Sequence, residues 1–165
     1  MRIALYEPDI PQNAGAVLRL AACLGIGVDI IEPCGFVLDS KRLKRVGMDY
    51  LQAVDLARHA SWARFVEARA LDQGQGRLVL LTTAAKTAYQ DFRFARDDVL
   101  LCGRESAGVP AHVHDAADAR IRVAMAQGAR SLNIAIAAAI VAGEALRQTG
   151  QLPGQAPEDF IGENA

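Results

Sequence analysis

The sequence predicts an α/β domain with a mostly parallel sheet that has helices on both faces. Short runs of β-branched residues and leucine recur along the chain, and segments with helical periodicity separate several of them. Parallel strands need crossover connections, so this alternation is typical of a sheet covered by helices. The predicted strands are residues 3–6, 28–31, 78–81, 99–102 and 121–123.

Four segments have the spacing expected of helices. In residues 13–24, apolar side chains recur three, four and seven positions apart, and Gly25 follows as a C-terminal cap. Further helices are predicted at residues 39–47, 61–70 and 131–149. The last helix is rich in alanine and apolar on most sides. This favours either a central position in the core or a subunit interface, and the sequence leaves both open.

Composition indicates one globular domain. The chain has 165 residues, of which 52% are hydrophobic and 22% are charged, enough for one sizeable core. We assign residues 1–150 to this domain and residues 151–165, which contain glycine, proline and acids, to a flexible C-terminal tail. The formal charge of −1 gives no overall positive field, so any RNA site must be local or assembled by oligomerisation.

The sequence also predicts cytoplasmic residence, with no membrane association and no metal. The N-terminus lacks the pattern of a signal peptide, and no apolar stretch approaches the roughly 20 residues of a membrane helix. Cys23, Cys34 and Cys102 are too scattered for a disulfide framework or a metal site, and predict small buried side chains in a reducing cytosol. His112 and His114 have no nearby residues that complete a ligand set.

One loop combines glycines with a single carboxylate. The apolar run 99–102 ends in residues 103–108, GRESAG, in which Glu105 stands between Gly103 and Gly108. Glycines permit positive φ and close backbone approach, and a buried carboxylate needs a polar partner. Because ligands bind at the carboxyl ends of strands in open α/β sheets, this loop is a candidate binding site. Taken alone, an ordinary tight turn explains it equally well.

Two other segments carry candidate polar groups. Asn13 lies where the first strand leads into the first helix and is suited to cap that helix, while Arg19 further along it is suited to solvent. Ser131 precedes the last helix and is a natural N-cap, in a position whose free N–H groups also bind carboxylates and phosphates. Each of these segments, considered separately, favours a structural role.

Their order along the chain resembles the three motifs of the SPOUT RNA methyltransferases: Asn13 with Arg19, then Gly103-x-Glu105-x-x-Gly108, then Ser131-Leu132-Asn133. Residues 5–15, 30–36 and 41–50 further resemble the small tRNA (cytidine(34)-2′-O)-methyltransferase group, and the whole resemblance covers residues 3–148. It implies an α/β-knot fold with a C-terminal trefoil knot, S-adenosylmethionine as cofactor, and a homodimer with active sites at or near the subunit interface. The chain departs from the family pattern at Arg104 and Ala124, where relatives often have proline.

The resemblance also implies the reaction and the residues involved. The reaction is 2′-O-methylation of the ribose at wobble position 34 of tRNA, a cytidine or modified uridine, with leucine tRNA isoacceptors as expected substrates. The implied catalytic residues are Asn13, Arg19, Glu105, Ser131 and Asn133. The residues implied to enclose the cofactor are Leu81, Gly103, Val123 and Ser131. Because a guanidinium stays protonated, we expect Arg19, reaching from the partner subunit, to orient the ribose hydroxyl and an RNA phosphate.

A cluster of positive charge supplies a candidate RNA-binding surface. Four basic residues fall within five positions: Lys41, Arg42, Lys44 and Arg45. A solvated helix face is the simpler explanation for such a run, and the resemblance favours RNA binding.

Three other functions compete with this interpretation. A dinucleotide-dependent oxidoreductase requires GxGxxG after the first strand, and this chain has none there. A noncatalytic RNA-binding module would keep the basic cluster but would not need Arg19, Glu105 and Ser131-Leu132-Asn133 together. A 2′-O-methyltransferase acting on another tRNA or ribosomal nucleotide remains open, because motif spacing does not identify the target nucleotide.

Overall fold

The computed structural model describes residues 1–37, 54–71 and 76–154. These residues form seven strands: β1 (Arg2–Tyr6), β2 (Gly27–Ile31), β3 (Leu56–His59), β4 (Leu78–Leu81), β5 (Thr87–Ala88), β6 (Val99–Cys102) and β7 (Ala119–Arg122). They make one sheet in the order β3-β2-β1-β6-β4-β7-β5, and every neighbouring pair is parallel. The predicted α/β class with a parallel sheet is therefore confirmed.

Helices cover both faces of this sheet. The described helices are α1 (Pro11–Leu24), α2 (Trp62–Leu71), α3 (Ala111–Asp115) and α4 (Ile134–Gln148), together with a short 3-10 turn at Tyr89–Asp91. Side chains alternate along each strand, so β1 sends Ile3 and Leu5 toward α1 and α4, and Ala4 and Tyr6 toward α2 and α3. The two apolar clusters that result form the core.

All five predicted strands are present, but the apolar runs do not predict β3 and β5. These two strands lie at the edges of the sheet, and their sequences, LARH and TA, lack a continuous apolar run. An edge strand has a partner on one side only and is often polar, so its sequence carries a weaker signal. The helix α3, five residues long, is likewise not predicted because it is too short to show periodicity.

The first helix begins two residues earlier than predicted. Pro11 takes its first position, which suits the fixed φ of proline, and Ile10 is the N-cap. The expectation that Asn13 caps this helix is therefore wrong, since Asn13 lies inside the first turn and is buried. The other end agrees with prediction, because Gly25 adopts a left-handed conformation with φ of 67°.

The last helix begins three residues later than predicted. Its N-cap is Asn133, whose Oδ1 accepts hydrogen bonds from the backbone N–H groups of Ala135 and Ile136 at 2.9 and 3.3 Å. Ser131 is therefore not the cap. The helix packs one face into the core, and two of its isoleucines, Ile136 and Ile140, remain 54% and 36% exposed on another.

Several other expectations meet the structure only in part. Cys102 is buried and Cys34 half-buried, but Cys23 is exposed, so its predicted burial is wrong. The predicted helix at residues 39–47 and the basic cluster of Lys41, Arg42, Lys44 and Arg45 lie outside the described residues. Leu152 still packs against the core beyond α4, and residues 155–165 are not described. Among the described helices, none combines the length and apolar character needed to cross a bilayer.

Candidate active site

Loops after β1, β6 and β7 meet at the carboxyl edge of the sheet. Strands β1 and β6 are neighbours, and β7 lies two positions away from β6, beyond β4. All strands are parallel, so the segments that follow them emerge at one edge, where ligands bind in open α/β sheets. This edge brings together the segments that carry Asn13, Glu105 and Asn133, although 120 positions separate the two asparagines.

A hydrogen-bonded network joins these three side chains. The Nδ2 group of Asn13 donates to Oε1 of Glu105 at 3.0 Å, and the Nδ2 group of Asn133 donates to Oδ1 of Asn13 at 2.8 Å. Asn13 is only 8% exposed, so both ends of its amide are satisfied by protein. Because Asn133 also caps α4, the network connects the carboxylate of Glu105 with the start of that helix.

Asp9 holds the same loop through reciprocal contacts. Its Oδ1 accepts from the backbone N–H of Glu105 at 3.1 Å, and its backbone N–H donates to Oε2 of Glu105 at 3.1 Å. Its Oδ2 accepts from the backbone N–H of Ser106 at 3.3 Å and from the Ser106 hydroxyl. Both oxygens of Glu105 are thus engaged, which suits a residue that organises the loop.

These contacts shift the pKa values of the two carboxyl groups in opposite directions. The Glu105 side chain and the Ser106 hydroxyl lower the pKa of Asp9 to about 2, so Asp9 stays ionised at neutral pH. Burial raises the pKa of Glu105, and the neighbouring Asp9 carboxyl raises it further. Asp9 was not among the predicted site residues. The only signal for it in the sequence is an acid between two prolines, which is also typical of an exposed turn.

The two glycines of the loop are needed for its closure. Arg104 and Gly108 exchange two backbone hydrogen bonds of 2.9 Å. A Cβ atom on Gly103 would lie 2.7 Å from the carbonyl carbon of Gly108, closer than real Cβ contacts. Gly108 itself has a φ of 66°, which favours glycine. Contacts within the loop therefore explain both glycines, independently of any ligand.

A cavity of about 370 Å³ opens beside the network. Its lining includes the network residues and three of the residues implied to enclose a cofactor, Leu81, Gly103 and Ser131. The fourth, Val123, lines a smaller apolar cavity of about 70 Å³ that shares Leu81 with the first. The larger of the two falls within the range of roughly 300–1,000 Å³ that is usual for small-ligand sites.

Arg19 lies apart from this cavity. It follows Asn13 by six positions on α1, which at 3.6 residues per turn separates the two side chains by about 120° around the helix. Arg19 is exposed and is not among the residues that line the cavity in the described part of one chain. A single copy therefore brings together Asn13, Glu105, Ser131 and Asn133, but not Arg19.

A second cavity, of about 440 Å³, lies beneath α2 and away from these loops. Its lining includes a chain of polar groups in which Arg2 pairs with Asp29 at 2.7 Å and Asp29 contacts His59 at 2.9 Å. It shares no described lining residue with the cavity beside Glu105. None of the sequence motifs contributes to its lining, so the 370 Å³ cavity beside Glu105 is the better candidate.

The profile of the SpoU rRNA Methylase family matches residues 1–143. The chain belongs to this family. A relative from Beijerinckia indica subsp. indica, named tRNA (cytidine(34)-2′-O)-methyltransferase, is 55% identical over 150 residues, which cover 91% of this chain and 92% of the relative. A relative of the same name from Escherichia coli strain K12 is 40% identical, and the match covers 96% of this chain and 99% of the relative.

Solved structures of the family share the same fold. One, described as giving structural insights into the 2-OH methylation of C/U34 on tRNA, has a TM-score of 0.81 and 42% identity, covering 89% of this chain and 94% of that chain. The SpoU methyltransferase AviRb from Streptomyces viridochromogenes, in complex with the cofactor AdoMet, has a TM-score of 0.79 and 30% identity, covering 90% of this chain and 60% of that chain. These similarities confirm the SPOUT assignment, and the knot stays a prediction.

Proposed function

We propose that this protein transfers a methyl group from S-adenosylmethionine to the ribose 2′-hydroxyl of the nucleotide at wobble position 34 of tRNA. The observation that carries the proposal is the network of Glu105, Asn13 and Asn133 beside a cavity of about 370 Å³. Relatives that match nearly the whole chain carry the name of this activity. A tRNA substrate also favours residence in the cytoplasm.

The residues of the cavity fit this cofactor. Its lining combines apolar side chains with polar ones such as Thr82 and Ser131, as a ligand with both an adenosine and an amino-acid part requires. When bound, S-adenosylmethionine supplies an electrophilic methyl group on its sulfonium sulfur. Leu81, Gly103 and Ser131 would hold it, and Val123 would border the adjoining apolar space.

The contribution of the chain's own residues is chiefly placement. Methyl transfer in line with the attacking oxygen gains most from holding the reacting groups at close range and in the correct orientation. Asn13, itself held by Asn133, fixes the side chain of Glu105 from one side, and Asp9 fixes the backbone of its loop from another. These contacts hold the loop in shape before RNA binds. Less of the binding free energy is therefore spent on ordering the loop.

A second copy of the chain completes the site in this proposal. Four large apolar side chains around the cavity and on α4 are exposed by 36–54%: Ile10, Leu132, Ile136 and Ile140. Exposed apolar side chains grouped beside a ligand cavity suit a protein interface. We expect a homodimer in which Arg19 of the partner orients the ribose hydroxyl and a neighbouring phosphate. An Arg19→Lys variant should therefore lose turnover, because lysine cannot make two parallel contacts.

The basic cluster is the proposed RNA-binding surface. Replacing Lys41, Arg42, Lys44 and Arg45 by uncharged residues should weaken tRNA binding while leaving cofactor affinity unchanged. The logarithm of the binding constant should also depend less steeply on the logarithm of salt concentration, by about 0.7–0.9 in slope for each phosphate that the protein no longer neutralises. A slope equal to that of the wild type would remove the cluster from the RNA site.

A transfer assay tests the proposed activity and its substrate class. The protein is incubated with labelled S-adenosylmethionine and either total tRNA or ribosomal RNA from a strain that lacks it. We expect label in the tRNA pool only, and label in ribosomal RNA would favour the alternative target. Saturating S-adenosylhomocysteine at 100 times its Kd should raise the melting temperature by roughly 5–10 °C, with no change from NAD. Absence of both effects would favour a noncatalytic RNA-binding module.

A further inference from the structure

Arg104 connects the loop 103–108 to the segment that leaves β1. Its guanidinium forms an ion pair with Glu7, and its Cζ atom lies 5.8 Å from the centre of the Tyr6 ring. Its backbone N–H donates to the carbonyl of Gly108 at 2.9 Å, a bond that the proline expected at this position could not make. The side chain and the backbone of Arg104 thus both contribute contacts that shape the loop.

Glu7 depends on this partner. Its side chain is only 12% exposed, and its φ of 43° is unusual for a residue with a Cβ atom. Its backbone N–H donates to the carbonyl of Ile31 at 2.8 Å, which anchors it to β2. Burying a carboxylate costs free energy unless a cation pairs with it. The ion pair therefore ties Arg104 to Glu7, which is anchored to the sheet.

Arg104 separates two spaces on the carboxyl edge of the sheet. On one side it lines the 370 Å³ cavity proposed for the cofactor, and on the other it lines a groove of about 200 Å³ with Glu7, Asp9 and Cys34. The Asp9 contacts begin at the next residue, Glu105. The loop is therefore held at successive positions by two carboxylates that both follow β1.

We propose that Arg104 is a positioning residue, whose ion pair with Glu7 holds the loop 103–108 in the shape that borders the cofactor cavity. Asp9 fixes Ser106 and, together with Asn13, also Glu105, while the Arg104–Glu7 pair fixes the first half of the loop. The pair acts on the cofactor through the backbone of the loop. Its loss should therefore raise the KM for cofactor much more than it lowers turnover at saturating cofactor. This inference rests on the proposed function for the identity of the ligand.

The test measures S-adenosylhomocysteine binding by calorimetry on the full chain without RNA. We expect Arg104→Ala and Glu7→Gln each to weaken binding roughly tenfold, and the double variant to be no weaker than either, as for two residues that act as one pair. Arg104→Lys keeps the positive charge and should recover part of the affinity. This variant replaces Arg104→Ala in the test if Arg104→Ala does not fold. Arg64→Ala is the matched control, since it breaks the exposed Arg64–Glu67 pair on α2.

The outcomes separate this inference from the proposed function. Wild-type affinity in Arg104→Ala, or effects that add up in the double variant, would overturn the positioning role. An equal effect in Arg64→Ala would also overturn it, because any surface ion pair would then suffice. Coupled decreases of affinity in a protein that methylates no tRNA would overturn the proposed function and leave the role of Arg104 intact.

Discussion

The network of Glu105, Asn13 and Asn133 makes a quantitative prediction for Asn13→Ala. This change removes two hydrogen bonds, one of 3.0 Å to the carboxyl group of Glu105 and one of 2.8 Å from Asn133. A bond to a charged group contributes about 1.5–3 kcal/mol and a neutral one about 1 kcal/mol. We therefore expect the free energy of unfolding to fall by about 2.5–4 kcal/mol, because Asn13 is buried and both of these bonds are lost.

Urea unfolding followed by circular dichroism measures this change, with cofactor affinity as a second readout. At roughly 2–4 °C per kcal/mol for a chain of this size, the melting temperature should fall by about 5–16 °C. Gln12→Ala is the matched control, since Gln12 is the exposed neighbour of Asn13 on α1 and its replacement should change stability by no more than about 0.5 kcal/mol. An Asn13→Ala variant as stable as this control would refute the reasoning.

A double-mutant cycle identifies the shared bond. Asn133→Ala removes the same 2.8 Å hydrogen bond from the other side and also the cap of α4. The double variant should therefore be more stable than the sum of the two single effects predicts, by about 1 kcal/mol. Additive effects would mean that the two asparagines act independently.

Three other predictions concern the loop, its acid dependence and the interface. Gly103→Ala should weaken cofactor binding because its Cβ would meet the backbone of Gly108, whereas Gly143→Ala, with open space around it, should leave binding unchanged; isothermal calorimetry compares them. Because the pKa of Asp9 is lowered to about 2, its contribution to the free energy of unfolding should be constant at pH values above the ordinary pKa of an aspartate. This contribution should disappear as the pH falls toward 2. The gap in urea midpoint between wild type and Asp9→Asn should then narrow only below about pH 4, and a gap that narrows from pH 7 would contradict this assignment. Ile140→Glu should dissociate the proposed dimer in sedimentation experiments, and an unchanged sedimentation coefficient would exclude this face of α4.

The buried part of the fold is readable from sequence because its signals are local. The strands in the middle of the sheet, β6 and β4, are runs of apolar residues with the buried sequences VLLC and LVLL. Edge strands are stabilised by pairing on one side, so the sequence of β3, with Arg58 and His59, carries little sign of it. Helix starts are harder to locate, because Ser131 and Asn133 are both good N-caps. The contact that selects Asn133 comes from Asn13, 120 positions away.

From the sequence, only the site residues that belong to the motifs could be predicted. The resemblance identifies Asn13, Glu105 and Asn133, and the structure places their side chains in one network. It does not identify Asp9 or the partner of Arg104, since an acid in a proline-containing loop is typical of exposed turns. The contacts of Asp9 with the loop span 96 positions of sequence. Pairings between such distant loops depend on the arrangement of the strands, which local patterns do not specify.

Mapping the methylated nucleotide tests the central claim most directly. Total tRNA from a strain lacking the enzyme is incubated with labelled S-adenosylmethionine, and the modified ribose is located after nuclease digestion. We predict one methyl group on the 2′-oxygen of nucleotide 34 in leucine tRNA, with the amount strongly reduced in Asn13→Ala. A methyl group on a base, at another nucleotide, or none at all would contradict the proposed function.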